Sequence, residues 1–160
     1  MSDNQEIEYL DFTDIVGIRN ESGNPVFYAT AGSAGFDIPA NANLSVAPGG
    51  CAVVPTGLFL DIGDLEVFAE DDPIPELQIR SRSGLAAKHQ VVVLNAPGTI
   101  DIDYKDEIKI ILMNLGKTDF VISVGDRIAQ GVFSEAYRPK KITNKADTRN
   151  GGFGSTGVKS

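Results

Sequence analysis

One cysteine, one histidine and no tryptophan occur among the 160 residues, and each scarcity excludes a chemistry. With Cys51 alone no intrachain disulfide framework forms, and a reducing compartment is expected. The usual zinc sites, built from several Cys and His ligands, are excluded as well, because His89 has no histidine partner. Positive charge is short: 14 Lys and Arg stand against 22 Asp and Glu, a net charge of -8. That balance disfavours non-specific binding to nucleic acid or to a membrane surface. It still allows a small anion, which a few placed arginines, backbone N–H groups and a divalent cation can hold on an acidic protein. No apolar run is long enough to cross a bilayer. Residues 1–14 are acidic and lack an apolar core segment, so no signal peptide is expected there and a cytoplasmic location is.

What is present suits one soluble domain. Hydrophobic residues make up 42% and charged residues 22%, ordinary values for a globular chain long enough to bury a core without metal or disulfide help. The 17 glycines and 8 prolines are spread along the chain and divide it into short elements. Strand-like runs lie at 15–18, 26–30, 44–47, 51–54, 58–62, 76–79, 91–94, 107–114, 120–124 and 127–133. Residues 85–89 have room for one helical turn, and no long amphipathic helix is legible. In the run 107–114, Ile108, Ile110 and Leu112 share one face, and the other is largely apolar too, which points to an interior strand. Runs 91–94 and 107–114 flank NAPGTIDIDYKD and read as a hairpin with a wide tip. The expectation is an all-β jelly roll or double-sheet barrel over 1–137, followed by a glycine-rich C-terminal arm over 138–160 that forms no regular element by itself. Within CAVVP, Cys51 is expected to be a small buried apolar residue, and His89 a partly exposed structural one.

Four features carry polar chemistry, each with a plain structural alternative. Arg82-Ser83-Gly84 joins a guanidinium, a hydroxyl and a glycine that lets a ligand approach, a set that suits phosphate oxygens; the alternative is a common surface turn. The tail GGFGSTG at 151–157 has the composition of a linker, but a lone aromatic, Phe153, is odd in one. Phe153 can stack on a planar ring while backbone N–H groups, Ser155 and Thr156 cradle phosphate, which would make the tail a lid. Asp101 and Asp103, at the hairpin rim, are candidates to share a metal or to act as a general base on water, with Asp37 as a third carboxylate. The fourth feature is the acidic stretch GDLEVFAEDDPI at 63–74, whose alternation suits a small extra strand or hairpin and which is read in preference as a solvated surface excursion. Serine-protease-like catalysis has no supporting elbow motif.

Five segments taken together resemble the trimeric dUTP nucleotidohydrolase (dUTPase) family: AGSAGFDIPA at 31–40, RSGLAAKH at 82–89, NAPGTIDIDYKDEIKI at 95–110, GDRIAQ at 125–130 and GGFGSTG at 151–157. The resemblance implies hydrolysis of dUTP to dUMP and pyrophosphate with Mg²⁺, in a homotrimer whose arm closes over a site on another subunit. It implies that Asp101 is the base that activates water against the α-phosphorus. Asn95, Gly98, Thr99 and Ile100 would read uracil, Tyr104 would pack on deoxyribose where a ribose 2′-hydroxyl would clash, and Lys109 would border the nucleoside. Arg82, Ser83, Gly84 and Gln130 would contact phosphates, and Asp37 would reach the metal through water, the ion being held mainly by substrate phosphates. Phe153 would cover uracil, with Gly154, Ser155, Thr156 and Arg149 at the terminal phosphates. The chain departs from the family pattern in several places. Arg149 stands one residue closer to the glycine run, Ser81 replaces a proline, Asp106 a glycine and Gly131 a large apolar residue, and 63–74 looks like an insertion. Two other readings compete: dCTP deamination on a similar fold, and a nucleotide-dependent interaction protein. In the latter, Asp64, Glu66, Glu70, Asp71 and Asp72 would meet a basic partner.

Overall fold

The computed structural model describes residues 16–63 and 73–139. Among the described residues ten strands and one helix follow one another: β1 (Val16–Asn20), β2 (Phe36–Pro39), β3 (Leu44–Val46), β4 (Cys51–Ile62), β5 (Ile74–Arg80), α1 (Ser83–His89), β6 (Val91–Val93), β7 (Gly98–Asp101), β8 (Ile108–Asn114), β9 (Phe120–Ile122) and β10 (Arg127–Ala136). They form two antiparallel four-stranded sheets, ordered β1-β4-β8-β6 and β2-β10-β5-β7, and a two-stranded sheet of β3 and β9. Alternation along the strands supplies the inner faces. Ile108, Ile110 and Leu112 of β8, Leu77 and Ile79 of β5, and Ile128 and Ala129 of β10 meet Ile38, Val54, Leu58 and Ile122 in one buried cluster. Each fully buried Ile or Leu contributes about 1.5–3 kcal/mol relative to an exposed one. The double-sheet all-β architecture agrees with the expectation, and β8 is an interior strand between β4 and β6. No described helix is long and apolar enough to cross a membrane.

Two buried polar side chains have complete hydrogen-bond sets. Asn114 donates through Nδ2 to the carbonyls of Val46 and Thr118 at 2.7 and 2.9 Å and accepts from Gly116 N–H at 2.9 Å, tying the end of β8 to the β3–β9 pair. Thr56 donates through Oγ1 to the Ile108 carbonyl at 2.6 Å and accepts from Leu58 N–H at 3.1 Å. It sits where β4 bulges against β8, between Pro55 and Leu58.

The structure corrects several local expectations. Residues 51–62 form one strand, because the bulge accommodates Pro55 and the positive φ of Gly57 (+67°) without ending the pairing. Residues 26–30 contribute only a single bridge, Tyr28 to Phe36, and otherwise form turns. Cys51 is exposed, not buried: it opens β4 opposite Met113, on the face turned away from the core. His89 is exposed and packs its ring on Phe120, 5.4 Å between centroids. Helix α1 is longer than one turn, starting at Ser83 and ending where Gln90 adopts a left-handed conformation (φ 55°). The hairpin tip holds a strand of its own: β6 and β8 pair as expected, but β7 between them crosses to the other sheet and pairs with β5. Gly131 faces the Phe36 ring, which fills the space a side chain there would take. The acidic stretch at 64–72 and the arm from 140 onward lie outside the described residues.

Candidate active site

Strands β2, β5 and β10 bring three of the singled-out segments to one end of their sheet. Gln130 of β10 lies opposite both Asp37 of β2 and Arg80 of β5. The Asp37 carboxylate, 13% exposed, is gripped from both sides: Oδ1 is 2.9 Å from Arg82 Nε and Oδ2 is 2.9 Å from Arg127 Nη1. Arg82 also donates through Nη1 to the Arg127 carbonyl at 2.8 Å. Gln130 donates through Nε2 to the Ser81 carbonyl at 2.9 Å, and a Cβ at Gly35 would stand 2.8 Å from its Oε1, so glycine there lets the amide lie in place. Ser81, found where the family pattern has proline, accepts the Val93 N–H on Oγ at 2.8 Å and so joins β6 to this corner. The cleft enclosed by these groups has a volume of about 340 Å³ and is lined by Asp37, Arg80, Arg82, Ser83, Arg127 and Gln130, among others. Three arginines and one aspartate line this cleft, so it is cationic on an acidic chain. Nothing stands within 4 Å of a Cβ built at Gly84, so the fold itself does not demand glycine at that position.

A second cleft, of about 560 Å³, opens at the other end of β5. Asp101, Thr99, Ile102 and Asp103 line it together with Glu76 and Arg138. Asp101 is exposed at the end of β7, directly opposite Glu76. Along the outer face of β5 a side-chain ladder runs between the two ends: Arg80 donates to Gln78 Oε1 at 2.6 Å, and Gln78 Nε2 donates to Glu76 Oε1 at 2.6 Å. At the hairpin, Gly98 is buried with the Asn95 amide against it, 3.0 Å from where a Cβ would stand, and Ile100 is half-buried. Tyr104 lies at the rim, its N–H donating to the Asp101 carbonyl at 3.0 Å and its hydroxyl to the Glu107 carbonyl at 3.2 Å. Lys109 is exposed, its Nζ 3.8 Å from Glu107 Oε2.

Of the residues singled out in the sequence, Asp37, Arg82, Ser83, Gly84 and Gln130 therefore come together at one cleft. Thr99 and Asp101 line the other, and Asn95, Gly98, Ile100, Tyr104 and Lys109 belong to its hairpin. Arg149, Phe153, Gly154, Ser155 and Thr156 lie outside the described residues. Sequence reasoning missed Arg80, Arg127, Glu76 and Glu107. Arg127 and Glu107 stood inside quoted segments, at 125–130 and 95–110, while Arg80 and Glu76 become legible only through strand register.

The protein-family comparison matches residues 23–157 to dUTPase. The deoxyuridine 5'-triphosphate nucleotidohydrolase of Helicobacter pylori (strain Shi470) is 48% identical over 135 residues, spanning 82% of this chain and 87% of that protein. The enzyme of the same name from Wolinella succinogenes is 48% identical over 134 residues, spanning 81% and 84%. Among solved structures, the dUTPase of Staphylococcus bacteriophage 80alpha with dUPNHPP superposes with a TM-score of 0.67 at 19% identity, covering 91% of this chain and 99% of that one. The dUTPase of phage phi11 of S. aureus, described with a coordinated structural Mg(II) ion, gives 0.65 at 18% identity, covering 84% and 99%. At such identities the structural likeness is one of fold. The family match and the two bacterial relatives place the chain itself: it belongs to the dUTPase family.

Proposed function

We propose that this dUTP diphosphatase cleaves dUTP between the α- and β-phosphates by attack of a water that Asp101 activates, and that the site is completed between copies of the chain. Asp101 carries the reading of the first half. It is exposed in a cleft at the end of a paired strand, beside the hairpin of Asn95 and Gly98. Its carboxylate would accept a proton from water as the new O–P bond forms at the α-phosphorus. The bridging oxygen would leave with pyrophosphate, whose charge the Arg82 cleft is suited to receive. Asn95 and the backbone of Gly98, Thr99 and Ile100 would pair with the uracil edge, leaving cytosine mispaired and thymine too large. Tyr104 would pack on the deoxyribose.

Mg²⁺ fits this donor set as an ion that arrives on the nucleotide. Among the described residues no three Asp, Glu, His or Cys side chains cluster to hold a metal, and both oxygens of Asp37 are engaged by guanidinium groups. Asp37 would therefore meet the ion through water, while substrate phosphates supply the inner oxygens. Its chemistry there would be to offset charge on the phosphates. Ser83 and the open backbone at Gly84 would take phosphate oxygens alongside Arg82 and Gln130.

The division of the site supports a homotrimer. Asp101 lies opposite Glu76, four residues along β5 from Arg80, roughly 14 Å at about 3.4 Å per residue, and Arg82 lies beyond. Neighbouring phosphates of one nucleotide cannot reach both ends of that strand. A second copy would bring its cationic cleft to this copy's Asp101, and the arm, with Phe153 and Arg149, would close over a neighbouring site. Pyrophosphate release compared across dUTP, dCTP, dTTP and UTP tests the substrate reading; no preference for dUTP would sink it. Asp101→Asn should lower kcat by about 10²–10⁴-fold, the range for losing a general base, while dUTP binding persists. Turnover at the wild-type rate would remove Asp101 from the reaction.

A further inference from the structure

We propose that Glu107 is a positioning residue that sets the chain's preference for deoxyribose over ribose by fixing Tyr104 through the bulge of β4. The bulge supplies the starting point. Where β4 departs from its pairing with β8, between Pro55 and Leu58, the N–H groups of Thr56 and Gly57 lose their place in the ladder. Both residues are buried, so these donors need a partner that water cannot supply. Glu107 supplies it from the other strand. Its Oε1 accepts the Thr56 N–H at 3.1 Å and the Gly57 N–H at 2.8 Å, about fifty residues away in sequence, in a two-pronged, charge-assisted bond. The side chain is 24% exposed, and its contact with Lys109 at 3.8 Å is too long and too open to compete.

The same residue holds the sugar-facing ring. The carbonyl of Glu107 accepts the Tyr104 hydroxyl at 3.2 Å, closing a short loop whose other end is the Tyr104 N–H on the Asp101 carbonyl at 3.0 Å. Tyr104 is 36% exposed, so packing alone does not fix its ring. The chain of contacts runs from the β4 backbone to the Glu107 carboxylate, through the backbone at 107 to the phenol, and from Tyr104 back to the residue bearing the Asp101 carboxylate. A purely structural anchor would stabilise the bulge and nothing more. This one ends on the ring that meets the sugar, so its loss loosens the surface that excludes a 2′-hydroxyl. The inference rests on the proposed placement of deoxyribose against Tyr104.

The test measures kcat and KM for dUTP and UTP in the full chain, with thermal unfolding as a fold control. In Glu107→Ala the dUTP-to-UTP ratio of kcat/KM should fall about tenfold, the scale of a loosened steric contact, chiefly through a higher kcat/KM for UTP. Glu107→Gln keeps an oxygen able to accept from Thr56 and Gly57 and should retain most of the ratio. Tyr104→Phe removes the bond to the Glu107 carbonyl, so it should shift the ratio in the same direction, and less than additively in combination with Glu107→Ala. A folded Glu107→Ala with the wild-type ratio overturns the proposal. If that variant does not fold, Tyr104→Phe decides, and an unchanged ratio there overturns it equally. A wild-type chain that does not prefer dUTP to UTP refutes the underlying substrate reading instead, and this inference with it.

Discussion

Asp37 neutralises one of the two guanidinium groups it touches, and Arg80 adds a third to the same cleft. In the absence of anions, the carboxylate between Arg82 and Arg127 offsets the repulsion within such a cluster. We predict that Asp37→Ala destabilises the fold by about 1–3 kcal/mol, the range for leaving charged partners unmatched, reduced because Arg127 is 48% exposed. An anion that binds the vacated space should offset that loss, since a ligand stabilises a native state in proportion to its occupancy. Added pyrophosphate should therefore raise the melting temperature of the variant more than that of the wild type. Equal shifts in the two proteins would mean that Asp37 does not govern the charge of the cleft. The reading of Asp37 also changes at this scale. The sequence presented it as a carboxylate for a metal, and the structure makes it first an organiser of two arginines.

Among the elements, β10 and β2 explain a departure from the family pattern. A Cβ at Gly131 would lie 2.5 Å from Phe36 Cζ and 2.9 Å from each Cε. Phe36 is 3% exposed, with Phe133 at 6.1 Å and Tyr28 at 5.9 Å between centroids, so its ring has little room to retreat. The ring thus fills the volume of the usual large side chain from the opposite strand. Gly131→Ala should cost about 1–3 kcal/mol through overpacking, and Phe36→Leu in the same chain should recover part of it by removing the far end of the ring. Urea unfolding of the two single variants and the double checks this; strictly additive losses would refute the exchange of volume.

The same scale shows which strands a sequence can disclose. Alternation exposed β8 because one of its faces is buried and the other only half so. It gave no warning that β4 runs through Pro55 and Gly57, since a bulge depends on what the partner strand offers, here Glu107 and Ile108. Cys51 was misplaced because its apolar neighbours say nothing about which face of a strand points inward. The tip strand β7 looked like a loop because its pairing partner, β5, lies some twenty residues earlier.

At the scale of the whole molecule, the motifs were legible as residues and illegible as a site. Each short segment declared its chemistry, but none disclosed that Arg82 and Asp101 stand at opposite ends of β5. That separation makes a decisive experiment available. In the proposed trimer, Arg82→Ala and Asp101→Asn damage different halves of every site, so each protein alone should be inactive. If the two are unfolded together and refolded as a mixture, some sites should join an intact Asp101 from one copy to an intact Arg82 cleft from another. Random assembly at equal amounts places both intact halves in about a quarter of the sites, because each half is sound with even odds and the two come from different subunits. Pyrophosphate release by the refolded mixture should then return to about that fraction of the wild-type rate. Simple mixing without unfolding should give less, to the extent that subunits do not exchange. A site contained within one chain would instead leave every copy damaged in one half, and the refolded mixture would be as inactive as its parents.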